Sequence, residues 1–171
     1  GAHSWQRKSM ARALVFCGHN VTLWDIDKHS PYDCFDLHNP EIFIGQTYNV
    51  NQALINCISE CPALKVIMKA SDWGNNTEEV YSKYPILTAR KDEIENLISL
   101  KEKTNKPDGL FIHYHEDYIG DTHTNWINLG FNVYSDLNAA DVFEYTHGEY
   151  RPEYDCQIGY VGGSWDYKNI V

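Results

Sequence analysis

Glu41-Ile-Phe-Ile-Gly-Gln-Thr-Tyr-Asn-Val-Asn-Gln-Ala-Leu-Ile-Asn-Cys-Ile-Ser-Glu-Cys-Pro-Ala-Leu-Lys-Val-Ile-Met-Lys-Ala70 is the stretch that decides the fold. Its two ends read as strands: Glu41 to Thr47 is a continuous apolar run, the pattern of a strand covered on both faces in a parallel sheet, and Leu64 to Ala70 is a further strand. Between them Asn51 to Cys61 reads as a helix. Leu54, Cys57, Ile58 and Cys61 follow the i, i+3, i+4, i+7 spacing of a buried stripe, and Pro62 stops the helix. A strand, a helix and a strand joined by short loops form a parallel pair with a right-handed crossover.

The same alternation extends outward. Toward the C-terminus, Asp72 to Thr77 has turn chemistry and Glu78 to Arg90 reads either way. Lys91 to Lys103 is a helix with Ile94, Leu97 and Ile98 on one face, and Gly109 to His115 a strand. Glu116 to Leu129 is a helix capped by Gly130, and Asn132 to Leu137 a further strand. Toward the N-terminus, Pro31 to His38 is a short helical piece and Asn20 to Asp25 a strand. Ser4 to Cys17 is a helix with Met10, Ala13, Leu14 and Cys17 inward and Gly18 as its C-cap. The expected fold is α/β, a Rossmann-like parallel sheet with flanking helices. Gly1 to Trp5 reads as the loop between a first strand and the first helix, so the sheet either lacks that strand or is preceded by it. Residues 1–150 are expected to form one domain. Residues 151–171, where Cys156 to Gly163 begins a new strand and a glycine turn, are expected to be a linker and the first strand of a second, truncated domain.

Composition narrows the function. With 24 acidic against 14 basic side chains in 171 residues, the net charge of −10 repels a phosphate backbone, which disfavours non-specific nucleic-acid binding. No apolar run approaches the ~18 residues of a membrane span and no signal-peptide core is present, so a cytoplasmic protein without a transmembrane segment is expected. The five cysteines are odd in number and scattered, which suits reduced thiols. The sequons at Asn20 and Asn75 are of a kind frequent by chance.

In open α/β sheets, ligands bind beyond the carboxyl ends of the strands, so the loops there hold the candidate residues. Gly1-Ala-His3-Ser4-Trp5 opens a helix whose free N–H groups suit an anion or a sugar hydroxyl, with His3 placed to take a proton; the same residue reads equally as an exposed loop histidine. Gln46, Thr47, Tyr48 and Asn49 offer hydrogen bonds to sugar hydroxyls. Asp72 sits beside the aromatic platform of Trp73, and reads equally as a turn former or N-cap. His113 and His115, two apart on a strand, share a face as ligand contacts; spacing secures no third metal ligand, so no metal is expected. Asp25 stands where a dinucleotide fold places its ribose carboxylate, but the first loop lacks the second and third glycines of G-x-G-x-x-G, which demotes NAD. No P-loop, nucleophile elbow or HExxH occurs.

Gly1-Ala-His-Ser-Trp with Arg7, Ala11-Arg-Ala-Leu and Cys17-Gly-His-Asn-Val-Thr resembles the opening of GT-B glycosyltransferases. Glu41 to Tyr48 and Lys65 to Gly74 resemble their next strands and polar loops. Leu137-Asn-Ala-Ala-Asp141 is similar to their interdomain hinge, with Ala139-Ala140 in place of Gly-Val. Ile158 to Lys168 resembles the first strand and glycine loop of the C-terminal domain, most like the spore-maturation-type glycosyltransferases. The resemblance spans nearly the whole chain. It implies the N-terminal, acceptor-side domain of an enzyme that moves a sugar from a nucleotide-sugar donor to a hydroxyl of a small-molecule or glycan acceptor. It further implies His3 or Asp72 as the catalytic group and Ser4, Trp5, Gln46, Thr47, Tyr48, Trp73, His113 and His115 as substrate contacts. No metal or other cofactor is implied, and the donor-side domain with its acidic motif lies outside these residues. The alternative is a Rossmann-like binding or interaction module without catalysis. A metal-dependent hydrolase centred on His113 and His115 ranks last.

Overall fold

The computed structural model describes residues 2–70, 89–112, 124–135 and 152, with the backbone alone for residues 2–6, 89–91, 124 and 125. The chain divides into two units, Gly1–Ala139 and Ala140–Val171, and all the elements described belong to the first. In chain order they are α1 (Ala2–Phe16), α2 (Pro31–His38), β1 (Ile42–Gln46), a 3-10 turn (Thr47–Asn49), α3 (Gln52–Glu60), β2 (Lys65–Lys69), α4 (Ala89–Thr104), β3 (Gly109–Ile112), α5 (Thr124–Asn128) and β4 (Val133–Ser135). The four strands are all parallel and lie side by side in chain order. The result is a parallel α/β sheet with flanking helices, a Rossmann-like arrangement. No described helix is long and apolar enough to cross a membrane.

Local chemistry sets the element ends. Ser30 and Asp33 form a reciprocal capping box at the start of α2, with Pro31 at its first position. The Asn51 side chain accepts from Leu54 N at 3.0 Å and caps α3. Gly18 (φ +90°) lets Gly18 N and His19 N reach back to the Val15 and Leu14 carbonyls, closing α1 as expected. Gly130 (φ +78°) closes α5 in the same way through Ile127 and Trp126.

Strand alternation and register place Phe43, Val66, Met68, Leu110 and Ile112 on one face of the sheet. Because the strands follow one another in one direction, right-handed crossovers bring their connecting helices to that same face. There Leu54, Ile55 and Ile58 of α3 and Leu97 and Leu100 of α4 close a core that extends to Trp126 and Phe131. The other face is barer. Ile42, Ile44 and Tyr134 are 51%, 39% and 49% exposed, and Ile67 and Phe111 are half-buried.

Several expectations are corrected. α1 begins at Ala2 rather than Ser4, so His3, Ser4 and Trp5 are helical and not in a loop; no Gly or Pro interrupts the run from Ala2 to Phe16. Its more covered side is Arg7, Ala11 and Leu14, while Met10, Ala13 and Cys17 are exposed. On that side Arg7 donates to the Tyr48 hydroxyl. Asn20 to Asp25 is not a strand. Its backbone pairs with no described strand, and the Asp25 carbonyl instead accepts from Lys28 N and His29 N. Strand pattern without a ladder partner does not make a strand. β1 falls within the expected Glu41–Thr47 but lies at the edge among the described strands, and its Ile42 and Ile44 are exposed. On α4 the buried side is Glu93, Leu97 and Leu100, with Ile94 and Ile98 half-buried, because Glu93 turns inward.

The amino end of the sheet is tied by Asp108. Its carboxylate accepts from Val66 N at 2.7 Å and from Lys106 Nζ at 2.9 and 3.0 Å, while Lys65 Nζ lies 3.4 Å away. Partial burial works against the charged form, but the Val66 amide and the Lys106 ammonium outweigh it and hold the carboxyl below its ordinary value. A carboxyl lowered by folding stabilises the native state fully above its unfolded pKa of ~3.9, and that contribution is lost as pH falls through the lower folded value. Urea unfolding at pH 6 and pH 3 should therefore show a smaller pH difference for Asp108→Asn than for the parent. An unchanged difference would remove Asp108 from the acid response.

Candidate functional site

At the carboxyl end of β1 the chain turns through Gln46 to Asn51, and the direction of each side chain follows from that turn. Thr47 is fully buried. Its hydroxyl donates to Glu93 Oε1 of α4 and lies 3.3 Å from the Lys69 carbonyl at the end of β2. Glu93 is 6% exposed, and these two are the buried polar side chains among the described residues. The next residue points the other way: the Tyr48 hydroxyl accepts from Arg7 Nη2 of α1 at 2.6 Å, at the surface. One short turn thus links β1, β2, α4 and α1 at the carboxyl edge, where a parallel sheet binds its ligands.

Asn49 and Asn51 form one wall of a cleft of about 340 Å³, faced by Trp24, Ile26, Lys28 and His29. Trp24 is held from two sides. Its Nε1 donates to the His29 carbonyl at 2.9 Å, and its ring lies tilted at 53° against Phe43, centroids 6.1 Å apart. Asp25 is used locally: it pairs with Lys28 at 2.8 Å and accepts from Asp27 N at 3.2 Å. The Lys28 hydrogen bond is the main reason its carboxyl is lowered. That turn-forming role leaves the ribose-carboxylate reading of Asp25 without a strand to stand on.

The structure brings together Gln46, Thr47 and Tyr48. Thr47, however, faces the interior and anchors the turn instead of meeting solvent, so its hydroxyl is taken by Glu93. His3, Ser4 and Trp5 lie in the first turns of α1, and their side chains fall outside the described residues. Asp72, Trp73, His113 and His115 also fall outside them. Among the described residues no cluster of His, Cys, Asp or Glu could hold a metal ion. Cys17, Cys34, Cys57 and Cys61 are free thiols, and burial pushes the Cys57 thiol up to about 11, which keeps it protonated and unreactive at neutral pH.

Glu93 and Trp24 were missed at the sequence level. A glutamate inside Lys91-Asp-Glu-Ile-Glu reads as part of a solvated helix face, and only the three-residue offset from Glu93 to Leu97 and Leu100 hints that it shares the buried side. Trp24 was absorbed into the expected strand.

The Thr47–Glu93 link has a measurable cost. Thr47→Val keeps the volume but removes a hydrogen bond to a buried carboxylate, and should lower the unfolding free energy by about 1–3 kcal/mol. Replacing both partners by apolar groups, as in Thr47→Val with Glu93→Met, should recover part of that loss. A single variant as stable as the parent would show that the pair does not anchor the turn.

No protein-family model, no curated protein and no solved structure matches the chain.

Proposed function

We propose that the chain is the acceptor-side domain of a GT-B glycosyltransferase, in which the Gln46–Asn51 turn holds a small-molecule or glycan acceptor while a sugar is transferred to its hydroxyl from a nucleotide-sugar donor. The carrying observation is the polar turn at the carboxyl edge of the sheet, with Tyr48 and Asn49 outward and Thr47 clamped inward. The Asn49 and Asn51 amides across the cleft from the Trp24 indole, with the Tyr48 phenol on the same turn, are the chemistry that recognises neutral hydroxyls and the apolar face of a pyranose. The ordered sequence motifs support the same reading. Within it, His3 or Asp72 takes the proton of the acceptor hydroxyl, and no metal or other cofactor is needed.

The test, made on the enzyme that carries both this domain and its donor-side domain, is nucleotide release from a panel of UDP-, GDP- and dTDP-sugars, with and without mono- and disaccharide acceptors. Acceptor-dependent release that falls in Tyr48→Phe is expected. Saccharide binding with no release in any combination would favour a non-catalytic binding module, and neither binding nor release would overturn both readings.

A further inference from the structure

We propose that the open edge of β1 is the seat of one more parallel strand, supplied by the polypeptide that leads into α1, and that this strand also pairs with Asn20–Asp25. The backbone of β1 defines the vacancy in the ladder. Lys65 N donates to the Glu41 carbonyl at 2.9 Å, so Glu41, Phe43 and Gly45 turn their polar groups toward β2. By alternation Ile42, Ile44 and Gln46 turn theirs outward, where no described strand meets them. Natural edges are protected by charge, proline or a bulge. Ile42–Gln46 has no charged residue or proline, and Ile42 and Ile44 are exposed beside it.

Three observations select the occupant. First, Arg7, early in α1, is bonded to Tyr48 just beyond the carboxyl end of β1. α1 therefore begins at the end of the sheet where a strand running parallel to β1 would finish, as a crossover helix does. Second, α2 packs on the core face, its Phe35 ring 5.7 Å from Phe43. A right-handed path through α2 into β1 then comes from the outer side of β1, which puts Asn20–Asp25 beyond the open edge. Third, Asn20–Asp25 has strand pattern but no backbone partner in any described strand, while Trp24 reaches in to touch Phe43. A single strand between the two would complete both ladders; the flanking backbones would then lie two strand spacings, ~9.6 Å, apart, a gap across which the long Trp24 and Phe43 side chains can lean to meet. The inference does not depend on what the domain binds.

Hydrogen exchange of the 171-residue chain should be compared with that of the protein carrying the residues its gene encodes ahead of Gly1. In the shorter form the amides of Ile42, Ile44 and Gln46 are expected to exchange at least ~10²-fold faster than those of Val66 and Met68 in the sheet interior. In the longer form those three amides and the Asn20–Asp25 segment should slow together, at least ~10-fold. Edge amides that stay fast in the longer protein, or a gene with no preceding codons to supply the strand, would overturn the proposal. So would protection already present in the shorter chain, and protection that grows with protein concentration would assign the edge to a second copy instead.

Discussion

In the full-length enzyme of the proposed function, His3→Ala is expected to lower sugar transfer by about 10²-fold or more while leaving the circular-dichroism melt unchanged, the usual scale of lost general-base catalysis. A neutral imidazole is able to accept the proton of an acceptor hydroxyl as the new bond forms. Its position fits the role: His3 lies one turn before Arg7 on α1, and Arg7 is already bonded to Tyr48 in the candidate acceptor turn. That hydrogen bond brings the early part of α1 to the Gln46–Asn51 turn, the proposed acceptor site. Steady-state rates of acceptor-dependent nucleotide release would check this. A variant with near-parental turnover would pass the base role to Asp72, or to a group on the donor as in a retaining enzyme.

Leu97→Ala is expected to lower the unfolding free energy by about 3 kcal/mol, within the 2–5 kcal/mol typical of a leucine truncated in a core that cannot collapse. Leu97 has no accessible surface and belongs to the cluster formed with α3 and the sheet. That loss is a large share of the ~5–15 kcal/mol total of an ordinary domain, so the variant should melt many degrees lower. Leu37 is the internal control. It lies on α2 and is 77% exposed, so Leu37→Ala should change stability by no more than about 0.5 kcal/mol. Urea denaturation of the two variants side by side reads the difference; equal losses would mean that α4 does not face the core as described.

The parts of the fold that were legible in the sequence are those whose signals are local. Ser30-Pro31 with Asp33 is a complete helix start, and α2 spans Pro31–His38 as expected. Asn51 as N-cap and the Leu54, Cys57, Ile58 stripe define α3, and all three stripe residues are buried. The parallel pairing of β1 with β2 followed from the helix between them. What was not legible depends on partners distant in the chain. Asn20–Asp25 and β1 carry similar apolar patterns, yet only β1 has a neighbouring strand to bond, and the sequence does not say which run will find one. On α1 the covered side carries Arg7, which bonds to Tyr48 41 residues away, whereas the hydrophobic pattern favoured Met10 and Ala13.

The candidate site divides in the same way. Gln46, Thr47 and Tyr48 were recognisable because a polar cluster directly after an apolar strand marks the carboxyl edge. Their different duties were not, since Thr47 turns inward only because Glu93 is there to receive its hydroxyl. Asn49 was part of the polar turn, whereas its position across a cleft from Trp24 brings together residues 25 apart in the chain, which no local signal marks.

The central claim is that hydroxyl-bearing ligands meet this protein at the Gln46–Asn51 turn. The most direct measurement is a titration of the ¹⁵N-labelled protein with neutral mono- and disaccharides, following backbone amides and tryptophan indoles. Saturable shifts concentrated at Gln46 to Asn51 and at the Trp24 indole, weakened in Tyr48→Phe, are expected. Shifts absent from that turn, or gathered at the amino end of the sheet around Lys65 and Asp108, would contradict it.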